Sequence, residues 1–257
     1  AFDGTPVIKL SSNELKNLRT FGEILETVNN ISNNLNSAFE KGKSFRDNPS
    51  IENAAELVSI VRFAIRETYG INPFVVQCLT VAAMLLHRIN KIKRKDLKGR
   101  IAQVATGEGK SIIVAMLAAC IGLTGSCVDV ISSSPYLAKR DAAKFKPFYE
   151  KLGLKCGTVD QDDYTNGFDY HILYSTNTDF EFALLREGIS GNSVIETTLL
   201  YKNVKRKRPR MTAIVDEADN LFIDTAMNSA RIAQEGTSKQ IWMLRPIWLA
   251  VLNNIYD

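Results

Sequence analysis

The sequence predicts an α/β fold with a mostly parallel sheet flanked by helices and preceded by further helices. Three observations carry this. Short strand-like runs alternate with helix-length patterns from Arg100 to Val215, the order that builds a parallel sheet covered on both faces. A glycine-rich loop, Thr106-Gly107-Glu108-Gly109-Lys110-Ser111, lies between an apolar run and a helix-like run. Far downstream, Asp216-Glu217-Ala218-Asp219 closes the apolar strand Thr212-Ala213-Ile214-Val215. In such folds ligands bind at the carboxyl ends of the strands, where both motifs fall.

Residues 11–70 read as helices. Leu15, Leu18, Phe21, Leu25 and Val28 recur at three- and four-residue spacing, one face of a helix. Ser12 is its expected N-cap. The polar stretch Asn29 to Asn36 either continues that helix weakly or breaks it. Asp47-Asn48-Pro49-Ser50 is a turn. Ala54, Leu57, Val58, Val61, Phe63, Ala64 and Ile65 form the next helix, stopped by Gly70. Phe74 to Ile89 is a strongly apolar helix, followed by the basic run Lys91 to Arg100. Arg100 to Val104 is expected as a strand, then come the loop and a buried helix through Leu123. Further strands are expected at Cys127–Ser132, Lys155–Val159, His171–Tyr174 and Ala213–Val215, with helices at Leu137–Leu152 and Thr178–Arg186.

Bulk properties narrow the class of protein. With 257 residues, 45% hydrophobic and 23% charged, the chain has the composition of a globular protein with a sizeable core. A net charge of +4 is too small to indicate nucleic acid. Cys78, Cys120, Cys127 and Cys156 form no CxxC, and three lie in or beside apolar runs, so buried reduced thiols are expected. His87 and His171 alone make a zinc site improbable. No run reaches the roughly 18 to 20 apolar residues that span a bilayer, and Ala1-Phe2-Asp3-Gly4 does not open a secretory signal. The first residue is not Met, so the sequence reads as a piece of a longer protein.

The loop and the acidic pair form a site for nucleotide phosphates. Gly107 and Gly109 let the backbone turn so that its N–H groups converge on phosphate oxygens, and the following helix adds its positive end. Thr106 and Glu108 complete the loop. Lys110 reaches the β- and γ-phosphates and the Ser111 hydroxyl ligates magnesium. Val104 stands where the longer GxxxxGK[ST] pattern has its first glycine, so the match is to the shorter TGxGK[ST] form. Asp216 holds magnesium through water, and Glu217 orients or activates the attacking water. Asp219 hydrogen-bonds to backbone or to a neighbouring motif. Lys110, Asp216 and Glu217 are the expected catalytic groups. Gln77 has an amide that suits an adenine edge, although by its chemistry alone a surface helix position is the plainer reading. The basic runs Lys91–Lys95 and Lys205–Arg210 are solvated loops, contacts to anionic lipid or nucleic acid, or a nuclear import signal. Without interleaved aromatics they do not support base stacking.

These residues resemble the first nucleotide-binding, DEAD-like domain of the SecA family, the ATPases that drive preproteins through the Sec channel. Ile71-Asn72-Pro73-Phe74-Val75-Val76-Gln77 resembles the adenine-reading Q motif, and this selects the binding role for Gln77. Ile101 to Ser111 resembles the SecA form of the Walker A loop. Pro135-Tyr136-Leu137-Ala138-Lys139-Arg140-Asp141 is similar to the family's DYLAQRD motif. Tyr174-Ser175-Thr176-Asn177 with Phe182, Leu185 and Arg186 is similar to a further family stretch. Ile214 to Asp224 resembles the Walker B segment. The similarity covers residues 11 to 226. It implies a RecA-like P-loop domain over 71–230 after a helical extension, 1–70. The tail 231–257 is left as packing against this domain, an inserted domain's start or an interaction segment.

The resemblance implies ATP or ADP with Mg2+ as cofactors. The partners implied for the intact protein are an unfolded polypeptide, a Sec-type channel and an anionic membrane surface, with nucleic acid not favoured. The location implied is the cytoplasm or plastid stroma, peripheral to a membrane. The family's second motor domain, with its arginine fingers, is expected outside this sequence. Such a finger supplies a rate factor on the order of 1000 or more, so slow hydrolysis is expected of this segment alone. Departures from the family pattern are Ala105, Pro135, Glu181, Ala183 and Thr225 to Ser229. Two rivals remain: a DEAD-type nucleic-acid helicase domain, because the acidic motif spells Asp-Glu-Ala-Asp, and a diverged nucleotide-binding interaction module without turnover.

Overall fold

In the computed structural model, residues 12–28, 35–89, 99–159, 170–190 and 212–221 are described. Helix α1, Ser12–Val28, buries Phe21 and Leu25 and lies against α3, Ile51–Tyr69, and α4, Val75–Ile89. Ser12 is its first helical residue rather than its cap. The cap position falls one residue earlier, outside the described residues. Leu15 is 51% exposed, so the buried stripe is narrower than the apolar spacing suggested.

A 3-10 turn at Leu35–Ser37 leads into α2, Ala38–Asp47. Only Ala38, Gly42 and Phe45 of α2 are buried. Gly42 lets the helix lie directly on the backbone of Leu123, where a Cβ would overlap the Leu123 carbonyl. Beside it, Arg46 Nη1 donates to the Thr124 carbonyl at 3.3 Å. Helix α3 starts where the turn was read: the Ser50 hydroxyl accepts from the Asn53 N–H at 3.1 Å, satisfying one orphan donor of the first turn. It stops at Gly70, which is left-handed at φ 67° and donates its N–H to Arg66 O at 2.8 Å.

Helix α5, Lys110–Leu123, is the centre of the molecule. It is buried from Ile113 onward on nearly every side, as expected of a helix that is apolar all round. The sheet beside it contains β1, Val128–Ile131, β2, Cys156–Thr158, β3, Ile172–Ser175, and β4, Thr212–Val215. Their order is β2-β3-β1-β4, and all three pairings are parallel. Val128 is in register with both Ile172 and Thr212. Helix α6, Pro135–Lys151, connects β1 to β2, and α7, Asn177–Ser190, follows β3. Pro135 occupies the first turn of α6, where its missing N–H costs nothing, and Ser134 Oγ accepts from Leu137 N at 3.3 Å. Phe145, Phe148 and Tyr149 of α6 reach the core, and the Tyr149 and Tyr174 hydroxyls meet at 2.8 Å. One continuous apolar cluster runs from Phe21 to Tyr174 and joins the amino-terminal helices to the sheet.

One expected element is absent. Arg100 to Val104 is not a strand and pairs with none among the described residues. Its burial alternates, with Ala102 and Val104 half-buried and Ile101 72% exposed. The period-2 pattern was therefore real, but a ladder requires a neighbour's free N–H and C=O groups in register, and among the described residues none meets this stretch. The adjoining Arg100 is instead tied to α4 by its Nη1, which donates to Ala83 O at 2.8 Å. The basic runs Lys91–Lys95 and Lys205–Arg210 and the tail 231–257 lie outside the described residues. Cys78, Cys120 and Cys156 are buried free thiols and Cys127 is half-buried. No described helix is long and apolar enough to cross a membrane.

Candidate nucleotide site

The carboxyl ends of the parallel strands hold the site together. Past β4, the Asp216 N–H continues the ladder by donating to Ile131 O at 2.8 Å, and past β1 the Ser132 N–H donates to Ser175 O at 2.8 Å. These bonds fix Asp216 at the sheet edge. Glu217 follows with φ 60°, a left-handed conformation that costs a non-glycine residue about 1–3 kcal/mol. The bend ends the strand within a single residue, and a helical turn begins at Ala218.

The loop is built as its glycines suggest. Gly107 and Gly109 have φ of 90° and 78°, values that a side chain disfavours. The Glu108 N–H donates to Ala105 O at 3.2 Å, and the Ile112 and Ile113 N–H groups both bond Gly109 O, at 2.9 and 3.2 Å. Gly109 is the N-cap of α5 and supplies no side-chain cap. The first N–H groups of α5 thus face outward at the helix's positive end. Thr106, Gly107 and Glu108 are exposed, while Lys110 and Ser111 are half-buried.

Lys110 joins the two motifs. Its Nζ lies 3.0 Å from Asp216 Oδ1 and 3.8 Å from Glu217 Oε1. A cation is thus placed between the loop and the acidic pair. Exposure of 40% for Lys110 and 19% for Asp216 leaves the pair open to competition from a more highly charged ligand. Gln77 joins from the other side and is 5% exposed, so it is no surface residue. Its Oε1 accepts from Phe74 N at 2.9 Å and its Nε2 donates to Glu108 O at 2.8 Å. Gly109 matters here a second time, because a Cβ would push the Gln77 amide nitrogen off its place.

Two further groups line the same edge. Arg140, on α6, forms a two-pronged pair with the buried Asp141 carboxylate, with Nε and Nη2 both 2.8 Å from Oδ1. The Asp141 hydrogen bond and charge push the guanidinium pKa up, and the Asp216 charge adds to this. At the head of α7, Asp179 accepts from Ser175 Oγ at 2.9 Å and Thr176 Oγ1 at 2.8 Å, and its own N–H donates to Thr176 Oγ1 at 3.2 Å. This reciprocal capping box locks β3 to α7.

Lys110, Asp216, Glu217, Gln77 and the loop Thr106–Ser111 are therefore brought to one place. Asp219 is exposed on the helical turn. Arg62 was not anticipated. It lies on α3, 8% exposed, and its Nε donates to Pro73 O at 2.9 Å, one residue before Phe74. The available signal was a charged residue inside the largely apolar run Leu57 to Ile65.

The residues present fit a magnesium nucleotide. Outward N–H groups and a lysine offer positive charge for phosphate. No group of three or more His, Cys, Asp or Glu suited to a metal occurs among the described residues. One carboxylate and one serine hydroxyl beside a phosphate site is the sparse protein contribution that Mg2+ takes, since it keeps water and phosphate as its other ligands.

A parallel sheet with a glycine-turned phosphate loop at the head of its central helix, and an acidic pair at the strand ends, defines a RecA-like α/β domain. The sequence pattern of the SecA DEAD-like domain matches residues 8–253. The chain is 31% identical over 215 residues to the protein translocase subunit SecA of Clostridium kluyveri, covering 82% of this chain and 23% of that protein. It is 31% identical over 185 residues to the subunit of the same name from Clostridium beijerinckii, 70% of this chain and 19% of the other. With that of Rubrobacter xylanophilus it shares 33% over 177 residues, 66% of this chain and 17% of the other. The chain belongs to the SecA DEAD-like domain family. The match spans about a fifth of the length of these relatives.

Proposed function

We propose that this chain binds ATP and ADP with Mg2+ as the first nucleotide-binding domain of a SecA-type translocase motor. In the whole protein, hydrolysis at this site is coupled to movement of an unfolded polypeptide through a Sec-type channel. The observation that carries the reading is the meeting of Lys110 with Asp216 and Glu217 at 3.0 and 3.8 Å, beside a loop already bonded to Gln77. Lys110 leaves the carboxylates for the β- and γ-phosphates. Ser111, and Asp216 through water, would hold magnesium, which would neutralise phosphate charge. Glu217 orients the attacking water, and Gln77 reads the adenine edge. The nucleotide-binding unit is taken as 71–230 and 1–70 as a helical extension, with 231–257 a tail that packs against this domain or begins an inserted or interaction segment. The protein works in the cytoplasm or plastid stroma, peripheral to a membrane. Relatives that bear the name of a protein translocase subunit support this reading over a nucleic-acid helicase.

The test is calorimetric titration with ADP and ATP in magnesium, beside Lys110→Ala. Micromolar-range binding that vanishes in the variant is the expected result. No binding by the folded parent overturns the reading. Binding without turnover in the whole translocase favours instead a nucleotide-held interaction module.

A further inference from the structure

We propose that Arg62 is a positioning residue for nucleobase recognition, acting from α3 through the Pro73 carbonyl on the Phe74–Gln77 turn. The inference rests on the nucleotide-binding reading of the site.

A guanidinium that is 8% exposed carries a large desolvation cost unless its donors are used. Arg62 Nε donates to Pro73 O at 2.9 Å. Proline has no N–H to anchor its own backbone, so its carbonyl is the handle by which this turn is held. The next N–H along, that of Phe74, donates to Gln77 Oε1, and Gln77 Nε2 donates to Glu108 O. The hydrogen bonds and intervening backbone thus connect Arg62 to Pro73, Phe74, Gln77 and the phosphate loop. Two of the groups that orient the Gln77 amide are backbone atoms. One of them, the Phe74 N–H, lies next to the carbonyl that Arg62 holds. An amide has two donors and two acceptor sites. With one of each committed to protein, one of each remains for a base edge, and their direction depends on where Phe74 sits. Arginine suits this position because its planar fork loses less freedom per bond than a lysine ammonium does.

The experiment measures binding of MgATP, MgGTP and magnesium tripolyphosphate to the intact protein and to Arg62→Met and Arg62→Lys. In the Met variant, ATP binding should weaken by about tenfold, the effect of one charge-assisted hydrogen bond. GTP and tripolyphosphate should bind as in the parent, so the preference for ATP falls by the same factor. The Lys variant keeps the charge without the fork, and should lose roughly threefold in preference. It decides the matter if the Met variant does not fold. Equal losses for ATP and tripolyphosphate, or a folded Lys variant with the full preference, overturn the proposal by making Arg62 a core residue only. A parent that binds ATP no better than tripolyphosphate refutes the base-reading role of Gln77 itself, and is recognised before any variant is made.

Discussion

Gly109→Ala tests the join between the phosphate loop and Gln77. At φ 78° an alanine costs about 1–2 kcal/mol from its Cβ alone. The new methyl also meets the Gln77 amide nitrogen. That nitrogen ends a flexible side chain, so it moves rather than clashes, and the cost becomes the loss of its bond to Glu108 O. Gln77 is 5% exposed, so its stranded amide adds a further ~1–3 kcal/mol. Gly107→Ala is the control: φ is 90°, but a Cβ there meets nothing within 4 Å, so only the backbone cost remains. Urea unfolding of the two variants, each repeated with Gln77→Ala, forms a double-mutant cycle. Gly109→Ala should be costlier than Gly107→Ala, and the excess should disappear in the Gln77→Ala background. Equal costs in both backgrounds refute the reasoning that Gln77 packs against this glycine.

Further outcomes follow from other contacts. Lys110→Ala should leave nucleotide-free stability within about 1 kcal/mol of the parent in urea unfolding, since its ion pair is partly exposed, while abolishing nucleotide binding. Asp179→Ala should cost about 1–2 kcal/mol in thermal unfolding, because it removes the carboxylate half of the α7 capping box and strands the buried hydroxyls of Ser175 and Thr176. Asp179→Asn, which keeps one acceptor, should cost less. Burial pushes the Cys78 thiol up to about 11 and the Cys156 thiol up to about 12, from an ordinary 9.0. Above pH 9 the unfolded chain releases these protons and the folded chain retains them. Their contribution is therefore whole below pH 9 and declines as pH rises toward 11 and 12. Urea midpoints across that range should fall, and Cys156→Ala should make the fall shallower.

The groups most readily located from the sequence were those whose chemistry depends on neighbours along the chain. Glycine at 107 and 109, lysine at 110 and an acidic pair after a strand announce a loop and a strand end. Parallel pairing then brings those ends together. Gln77 was harder, because an amide on a helix has no local mark of burial. Resemblance to a motif, rather than its own chemistry, singled it out, and the loop carbonyl at Glu108 is what occupies it. Helix α2 was not distinguished within residues 11–70, since Gly42 and charged neighbours interrupt any apolar stripe. Its place depends on a close approach to Leu123 that only the assembled fold reveals. The stretch Arg100 to Val104 failed in the opposite way: its alternation was present, but pairing is a property of two strands. Arg62 was passed over because a sequence shows a charge in an apolar run without showing the carbonyl that receives it.

The grip of α2 on the far end of α5 has a mechanical consequence. Gly42 rests on the Leu123 backbone and Arg46 holds the Thr124 carbonyl, while Lys110 stands at the other end of this 14-residue helix. At 1.5 Å per residue such a helix is about 20 Å long. Pinned by α2 at one end, carrying the Gln77-bonded loop at the other and buried along its length, it is a stiff strut between the two. A tilt of a few degrees there displaces the lysine by about 1 Å, a sizeable change for an ion pair at 3.0 Å. The Lys110 ion pair and the seat of α2 thus lie at the two ends of one buried helix.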